Sequence, residues 1–496
     1  MSHETGGVSY QKVDSKYFEN RQLRRHAGVW SLWALGVGAV ISGEFSGWNL
    51  GLATGGWGGL FVATILIAIM YYGLVFCIAE MAPALPHTGG AYSFARTAMG
   101  PWGGFITGLC ENVEYVVTPA VVIFFTGSYL TGIFGTPAGF QPAWWVIGYG
   151  VFLALNIFGV ALSFRVTLVV TFLALAVLVI FWILALLSPD LSFTKWASNI
   201  GPDGSALPDG GGPFLPFGWA GVGASLPFAV WFFLAIEELP LASEESVDPK
   251  RDMPKGIILG MTTLLIAALL VLWLNPSLPQ GSAAYGHSGE PILDGFRAMV
   301  PASLASVLSL AAVIGLLASF HTIIFAKGRQ IFSLSRAGYF PPFLSLTHGV
   351  HKTPHVAMLC GSAVALAIMF FLWFAKGAEQ SGVIIGGTLL NMAVFGAMLS
   401  YLLQALSFIL LRIKLPAIER PFVNPFGIAG GVATIVIAAV TILYQLFDPV
   451  YRQGVLWVAV WFAIAIIYFA LMGRHKLVLS PEEKFAMEHK AKSQQA

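Results

Sequence analysis

The residues with the clearest chemistry lie in Gly36–Trp48, which reads GVGAVISGEFSGW and sets one carboxylate, Glu44, among glycines and serines. The segment begins as an apolar helix and is then interrupted. Backbone polar groups are costly in hydrocarbon, so a break in a membrane segment survives only where it lines a cavity. A charge at that depth is by default part of a functional site. We therefore expect half of a substrate site here, in which Glu44 binds a cation beside Ser42, Gly43 and Ser46.

A second group of acids lies further along the chain, where Glu111 and Glu114 are three residues apart in an apolar segment. Residues at this spacing share one face of a helix. Acids inside membrane helices almost always point into the protein. We expect at least one of the two to line the site, with Tyr115 adding a hydroxyl or a ring. The alternative is that they pair with a cation elsewhere.

A run of three aromatic residues, Trp231, Phe232 and Phe233, precedes two more acids, Glu237 and Glu238. An aromatic face next to an ammonium group adds about 0.5–2 kcal/mol of cation–π attraction. Because consecutive residues point in different directions on a helix, the three rings cannot all face one site. We expect an aromatic wall for the site here, with packing against the core or lipid as the alternative for the remaining rings.

The composition defines the class of protein that must position these residues. The chain has 496 residues, of which 57% are hydrophobic and only 10% are charged, against roughly 25% charged in soluble domains. Such a chain is a polytopic membrane protein in contact with the lipid bilayer. A net charge of +2 without a basic run predicts no nucleic-acid partner. The N-terminus lacks the apolar stretch of a cleaved signal peptide.

Other classes of site are not indicated. The three cysteines, Cys77, Cys110 and Cys360, are too dispersed for a metal cluster or a disulfide framework. No Ser/His/Asp set and no HExxH motif occurs in the apolar segments, so we expect no catalytic residues, no metal and no cofactor. A channel would be expected to show a repeated pore-lining filter, and none is found.

Twelve segments reach the length of about 20 mostly apolar residues that a membrane helix requires. Placing both termini in the cytoplasm puts 22 of the 26 lysines and arginines on the inside, as the positive-inside rule requires. The predicted segments are 28–54, 57–82, 100–131, 143–162, 165–188, 217–246, 255–275, 302–337, 355–375, 384–413, 427–447 and 454–473.

The first and the sixth segments are both interrupted, and they are five segments apart. Paired broken helices in two halves are the best sequence indication of a transporter site at the membrane midplane. We therefore predict an all-α membrane protein with 12 transmembrane helices in a five-plus-five inverted repeat. Its parts are an N-terminal segment 1–27, repeats 28–188 and 217–413, helices 11–12 at 427–473, and a tail 474–496.

The chain resembles the amino acid–polyamine–organocation superfamily. The motifs that carry the resemblance are GVGAVISGEFSG, AEMAPALPHTGGAYSFAR, EESVDPKRDMPKGI and GRQIFSLSRAGYFP. Within the superfamily, ISGEFSGWNLGLATGGWGGL and WFFLAIEELPLASEESVDPKRDMPKG resemble the ethanolamine permease branch. The resemblance implies secondary transport by alternating access in a bacterial inner membrane.

Amino-acid transporters of this superfamily hold the substrate carboxylate at a G-S-G break, where this chain has Glu44. Two carboxylates in a pocket of low dielectric constant repel each other. The substrate is therefore expected to be an amine without a carboxylate, such as ethanolamine, or choline or a related amine. The alternatives are that Glu44 caps the following half-helix, or that the chain is an amino-acid or polyamine permease.

The resemblance also implies roles for single residues. Trp231 matches the position of an aromatic gate, and Glu237 matches a glutamate linked to gating or proton handling, with Glu238 as its substitute. Arg165 resembles the position of a lysine in a vacant sodium site, which predicts sodium independence; a positive-inside anchor is the alternative. A guanidinium does not deprotonate in proteins, so Arg165 is not a proton carrier. Proton coupling, exchange and uniport all remain open.

Three further residues are interpreted as structural. Glu244 and Glu245, near the end of the sixth segment, are expected to pair with Lys250 and Arg251. His321 is expected to be a packed hydrogen-bonding group, with a proton relay as the alternative.

Overall fold

The computed structural model describes most of the chain, and for residues 4–5, 160–166 and 197 it describes the backbone alone. The described residues are 4–5, 7–11, 27–85, 89–158, 160–197, 212–377, 384–480, 483–484 and 487–488.

The described chain is mainly helical. Its α-helices are α1 (Val29–Val40), α2 (Ser42–Phe45), α3 (Leu50–Ala84), α4 (Ala91–Phe134), α5 (Gln141–Phe158), α6 (Val160–Leu187), α7 (Gly218–Trp231), α8 (Pro249–Leu274), α9 (Gly281–Gly286), α10 (Pro291–Met299), α11 (Ala302–Arg336), α12 (His355–Lys376), α13 (Gly386–Lys414), α14 (Gly427–Phe447) and α15 (Arg452–Leu471). The 3-10 helices are Ala138–Phe140, Lys195–Ala197, Ile236–Glu245, Pro342–Ser345 and Gly473–His475.

The twelve predicted segments are confirmed in the described residues. Eleven helical stretches are long and apolar enough to cross a membrane, and a twelfth apolar stretch, Val29–Phe45, is shorter. That stretch and the start of α3 together form the first segment. The predicted gap between segments one and two contains Gly56, whose φ of +69° kinks α3. Gly100, with φ +83°, likewise separates the first turns of α4 from the third segment. Only glycine adopts such angles readily.

Both predicted breaks are confirmed. In the first segment, α2 ends at Phe45, Ser46 is extended, and Gly47 has φ +94°. In the sixth segment, α7 ends at Trp231 and the chain continues through a turn to Ala235, which has φ +83°. A positive φ is uncommon for a residue with a side chain. The 3-10 helix Ile236–Glu245 then completes the segment.

The broken segments lie inside a packed bundle. Helix α4 packs against α11 and α13, while α3 packs against α7 and α8. The outer helices expose large apolar side chains, such as Phe374 at 80% and Phe447 at 79%. In water that surface would be a liability, but it is what a lipid-facing helix requires. The interior is left for the polar residues of the two breaks.

The two chain ends meet at one face of the bundle. Strand β2 (Val8–Gln11) pairs antiparallel with β1 (Glu4–Thr5) and parallel with β3 (Leu477–Val478). Tyr10 stands opposite Leu477 in the parallel pair. An even number of crossings returns the chain to its starting side, so this pairing agrees with twelve segments. We call this face the terminal face.

Candidate functional site

The two breaks touch each other at the centre of the bundle. A Cβ placed on Gly43 would lie 2.4 Å from the carbonyl oxygen of Trp231, so only glycine fits at this crossing. The indole Nε1 of Trp231 donates a hydrogen bond to the carbonyl oxygen of Ser46 at 2.9 Å. The unwound parts of the first and sixth segments therefore form one continuous polar region, as the paired breaks predicted.

Side chains from neighbouring helices satisfy the carbonyl groups that the first break frees. Ser319 of α11 donates to the carbonyl oxygen of Ala39, and Ser42 donates to the Ser319 hydroxyl at 2.8 Å. Tyr129 of α4 donates to the carbonyl oxygen of Phe45 at 2.7 Å. These bonds replace water, which is what a non-helical membrane backbone needs. In this structure the Ser42 hydroxyl stabilises the break, and its predicted role as a substrate residue stays a prediction.

Ser46 also bonds within the protein, to the carbonyl oxygen of Gly289 at 3.4 Å. Asn49, just after the break, donates to the carbonyl oxygens of Tyr285 and Ser288 at 2.7 and 2.8 Å. The connection between α8 and α10 is therefore fixed onto the first break. Sequence reasoning did not single out Asn49, although a buried amide in an apolar segment is itself a signal.

Glu44 is fully buried, and neither of its carboxylate oxygens has a hydrogen-bond partner among the described residues. Its helix, α2, lies against α11 and α8. The carboxylate accepts no N–H from a helix end, so the capping alternative is not seen in this conformation. A buried carboxyl group without partners must either be protonated or bind a cation.

A second acidic region joins α3, α4 and α13 to the 3-10 helix Ile236–Glu245. Tyr115 of α4 donates to Glu237 Oε1 at 3.1 Å, and Tyr401 of α13 donates to Glu114 Oε1 at 2.9 Å. Tyr71 of α3 donates to the Tyr401 hydroxyl at 3.3 Å. The structure thus brings Glu114, Tyr115 and Glu237 together, and their roles toward a substrate stay a prediction. Tyr71 and Tyr401 were missed, because nothing in a sequence shows which tyrosine faces which acid.

The carboxyl groups of Glu114 and Glu237 are close enough to interact directly, and Glu111 interacts with Tyr115. Each of these three acids keeps one oxygen that accepts no hydrogen bond, and Glu238 keeps two. None of them forms an ion pair with a lysine or arginine in the part of the chain that is described. We call Glu111, Glu114, Glu237 and Glu238, together with Glu44, the central acids.

The three aromatic residues point to three different partners, as expected. Trp231 bonds to the first break, and Phe232 stacks on Trp48 with ring centroids 5.4 Å apart. Phe233 contacts the ring of Tyr71 at 5.4 Å, which places it beside the acids of α4. Of the three, Phe233 is the residue whose ring contacts a tyrosine of the second acidic region.

Two acids at the end of the sixth segment have the opposite environment. Glu245 forms a two-bond ion pair with Arg329 at 3.0 and 2.9 Å, and Glu244 pairs with Arg336 at 2.7 Å. The prediction that Lys250 and Arg251 are their partners was wrong, and Lys250 pairs with Glu419 at 3.0 Å. The 3-10 helix turns both acids toward α11, so proximity along the chain did not become proximity in space.

The remaining predicted residues are engaged elsewhere or lie outside the described part. His321 Nδ1 is 2.9 Å from Asn156 Nδ2, a hydrogen bond within the packing of α5 and α11, as predicted. The Arg165 side chain lies among those that the structure does not describe. Within the described residues, no group of three His, Cys, Asp or Glu side chains could hold a metal ion.

The bundle and its two touching breaks define a multi-pass membrane transporter. Residues 28–471 match the family described as Amino acid permease. The chain therefore belongs to the amino acid permease family.

Several curated proteins are similar over most of their length. An uncharacterized transporter of Rhizobium meliloti (strain 1021) is 30% identical over 410 residues, covering 82% of this chain and 83% of that one. A methylthioribose transporter of Bacillus subtilis (strain 168) is 26% identical, covering 93% and 96%. A branched-chain amino acid permease of the same organism is also 26% identical, covering 92% and 94%.

A solved structure has the same fold. The crystal structure of the Eremococcus coleocola manganese transporter, in complex with an aromatic bis-isothiourea substituted compound, matches with a TM-score of 0.51. It covers 95% of this chain and 98% of that one, at 14% identity. At this identity the likeness concerns the fold alone. The predicted architecture, an all-α transporter with interrupted first and sixth helices in a five-plus-five arrangement, is confirmed.

Proposed function

We propose that this permease imports ethanolamine, a small organic amine that carries no carboxylate, across the cytoplasmic membrane by alternating access. One observation carries the proposal: five acids are buried at the two breaks with no described basic side chain to neutralise them. A buried charge without a partner is expensive, whereas a bound cation satisfies it. An ammonium group offers three donors to carboxylate oxygens that lack them.

The same observation speaks against a substrate carboxylate at this site. An amino acid would bring a further carboxylate next to buried acids in a region of low dielectric constant, where like charges repel strongly. Ethanolamine brings one positive charge with N–H donors and a hydroxyl, whereas choline brings a hydroxyl and a quaternary ammonium that has no N–H donor. We propose that Glu44 and the acids around Glu237 are the groups that meet the amine, with Phe233 as an aromatic neighbour of its charge.

One amine cannot neutralise five acids, so the rest must carry protons. We propose Glu237 and its neighbour Glu238 as the gating or proton-coupling residues. We also propose that transport is independent of sodium, because Arg165 resembles the position of a lysine in a vacant sodium site. Placement of both termini in the cytoplasm remains a proposal from the distribution of basic residues.

A second candidate is an amino-acid or polyamine permease. Family membership favours it, but the relatives are named for methylthioribose and for branched-chain amino acids, so the family does not select the substrate. Several acids within one site also leave room for two ammonium groups. Competition between substrates separates these candidates.

The test is uptake of labelled ethanolamine into sodium-free proteoliposomes, with unlabelled choline, putrescine, serine and leucine as competitors. We expect saturable uptake that serine and leucine do not inhibit and that Glu44→Gln abolishes. The matched control is Glu419→Gln, which removes a largely exposed carboxylate and is expected to leave uptake unchanged. Inhibition by leucine together with full uptake by Glu44→Gln would contradict the proposal.

A further inference from the structure

The two chain ends at the terminal face are held by one buried carboxylate, Glu483. Its Oε2 accepts hydrogen bonds from Tyr10 at 2.6 Å and from Arg96 at 2.5 Å. Its Oε1 accepts from Tyr92 and from Tyr339, each at 2.8 Å. The donors come from strand β2, from the start of α4, and from the connection after α11. One side chain near the C-terminus therefore ties together three distant parts of the chain.

Backbone contacts support this attachment. Strand β3 pairs with β2, and the N–H of Val478 donates to the carbonyl oxygen of Ala337 at 2.9 Å. Gly338, with φ +85°, is so close that an added Cβ would lie 2.3 Å from the carbonyl oxygen of Lys476. We call residues 477–480, together with Glu483, the strap.

The bonds to Glu483 are of the strong kind. Hydrogen bonds to an ionised group are shorter and roughly twice as strong as neutral ones. Burial and the nearby Glu483 raise the pKa of Tyr10 above its ordinary value, so its hydroxyl keeps the proton that it donates. Removing the carboxylate would leave Arg96 without its buried partner, which is the costly way to break an ion pair.

The strap contacts the parts of the chain that close the bundle at this face. Tyr339 follows directly on the end of α11, where Arg336 pairs with Glu244. Tyr92 lies just after Gly90, where an added Cβ would lie 3.1 Å from Leu241 of the 3-10 helix. The strap therefore contacts the end of the sixth segment indirectly in two places. Tyr339 connects it to the end of α11 beside Glu244, and Tyr92 connects it to Gly90 beside Leu241.

We propose that the strap is a conformational latch: Glu483 holds the terminal face closed, and its release accompanies opening of the substrate path at that face. The proposal rests on membership of the permease family and is independent of which substrate is carried. In the structure the end of the sixth segment is closed, since Ser243 and Glu245 are both buried. A C-terminal segment that bonds to a gate can bias the transport cycle by favouring the closed state.

The test is the reactivity of two reporter cysteines toward a maleimide in membranes without substrate. Ser243→Cys reports on the closed path and Val478→Cys reports on the strap, each in a background in which Cys77, Cys110 and Cys360 are serine. Each reporter is combined with Glu483→Gln, with the milder Tyr92→Phe, and with Glu488→Gln, which removes an exposed carboxylate of the same tail. Gel filtration checks that each variant is folded.

We expect Glu483→Gln to speed modification of Ser243→Cys by about fivefold or more, within the usual range of coupling between sites. Tyr92→Phe should give a smaller increase, and Glu488→Gln none. If only Val478→Cys reacts faster, the strap is a tail anchor and the latch proposal is wrong. Should Glu483→Gln fail to fold, an unchanged Ser243→Cys rate in Tyr92→Phe would equally overturn it. Because no substrate is present, these results do not depend on ethanolamine.

Discussion

Two pairs of glutamates in one segment have opposite fates. Glu244 and Glu245 each meet an arginine of α11, whereas Glu237 and Glu238, seven residues earlier, meet no described cation. The sequence separated the two pairs by role, but it assigned Lys250 and Arg251 as the partners of Glu244 and Glu245. The comparison separates acids that ion pairs hold at the end of the segment from acids at its centre that no described cation neutralises, and we propose that the latter meet the amine.

The strongest test of this comparison is to remove one acid of each kind and measure protein stability. Glu245→Gln leaves the buried Arg329 without its partner, so it should lower the free energy of unfolding by about 3–5 kcal/mol. Glu237→Gln removes an acid that pairs with no described cation and should change it by less than about 1 kcal/mol. Thermal unfolding in detergent micelles measures both.

The control for this pair is the double replacement Arg329→Met and Glu245→Met. Replacing both members of a buried ion pair by apolar residues is often neutral or stabilising. The double variant should therefore unfold near the parental temperature. Equal destabilisation by Glu245→Gln and Glu237→Gln would show that the central acids are structural, against the comparison drawn here.

The converse effect should appear in ligand binding. Glu237→Gln or Glu114→Gln should raise the Kd for the amine at least about 30-fold, equivalent to about 2 kcal/mol, because a buried charge partner is lost. Glu80→Gln serves as control, since that acid is already paired with Arg412 and Arg420. Its Kd should match the parental value, although its stability will not. An unchanged Kd in both central variants would place the amine elsewhere.

Much of the fold was predictable, and the physical reasons are specific. Hydrophobic length gave the twelve segments, because a membrane helix requires about 20 mostly apolar residues. The kink at Gly56 falls in the predicted gap between the first two segments, although the glycine itself was not singled out. The break at 42–47 was visible as polar residues within an apolar run. The pairing of Glu245 with Arg329 was not, because 84 residues separate them and only the packing of α11 brings them together.

The candidate site was predictable by residue type but not by contact. Glu114 and Tyr115 were expected to line the site and Glu237 to gate it, and the structure places the three side chains together, while their roles stay predictions. Tyr401 was missed because a tyrosine in an apolar helix has many packing roles, and only the crossing of α4 and α13 selects this one. The serine hydroxyls of the first break were assigned to substrate, whereas in the structure Ser42 donates to the Ser319 hydroxyl and Ser46 donates to the carbonyl oxygen of Gly289, contacts that only the packing shows.

The tyrosines around the central acids allow a finer test. Tyr401→Phe removes the hydroxyl that donates to Glu114 Oε1, so it should weaken amine binding by about fivefold, the equivalent of one ordinary hydrogen bond. Tyr444→Phe removes a tyrosine hydroxyl of α14, away from the acids, and is the matched control. Titration of the amine by intrinsic fluorescence gives both values. Tighter binding in Tyr401→Phe would mean that the hydroxyl competes with the amine for the carboxylate.

The smallest effect concerns Glu290, in the connection between α9 and α10. It is intermediate between the two kinds of acid, because it is largely buried but also has an arginine, Arg297, beside it. Burial and the neighbouring Asp294 raise its pKa to about 7, against the opposing effect of Arg297. Between pH 4.5 and about pH 7, the folded protein therefore keeps the proton on Glu290, whereas the unfolded chain has lost it. Its contribution to stability is present at low pH and is lost as the pH rises from about 4.5 to about 7.

Glu290→Gln should flatten this part of the pH dependence of thermal unfolding between pH 5 and pH 8. Asp190→Asn, an exposed acid on the same side of the bundle, should leave the profile as it is. A parental profile in Glu290→Gln would show that the carboxyl is ionised throughout this range and paired with Arg297 like the acids of the terminal face.

The most direct measurement of the central claim is the ligand-induced rise in unfolding temperature, with three small molecules of similar size. Ethanolamine carries one positive charge, ethylene glycol replaces the amine by a hydroxyl, and glycine adds a carboxylate. A ligand at 100 times its Kd stabilises the folded state by about 2.7 kcal/mol. We predict that ethanolamine alone raises the unfolding temperature, and that Glu237→Gln removes the shift. Stabilisation by glycine but not by ethanolamine would contradict the claim that the unpaired central acids select an amine.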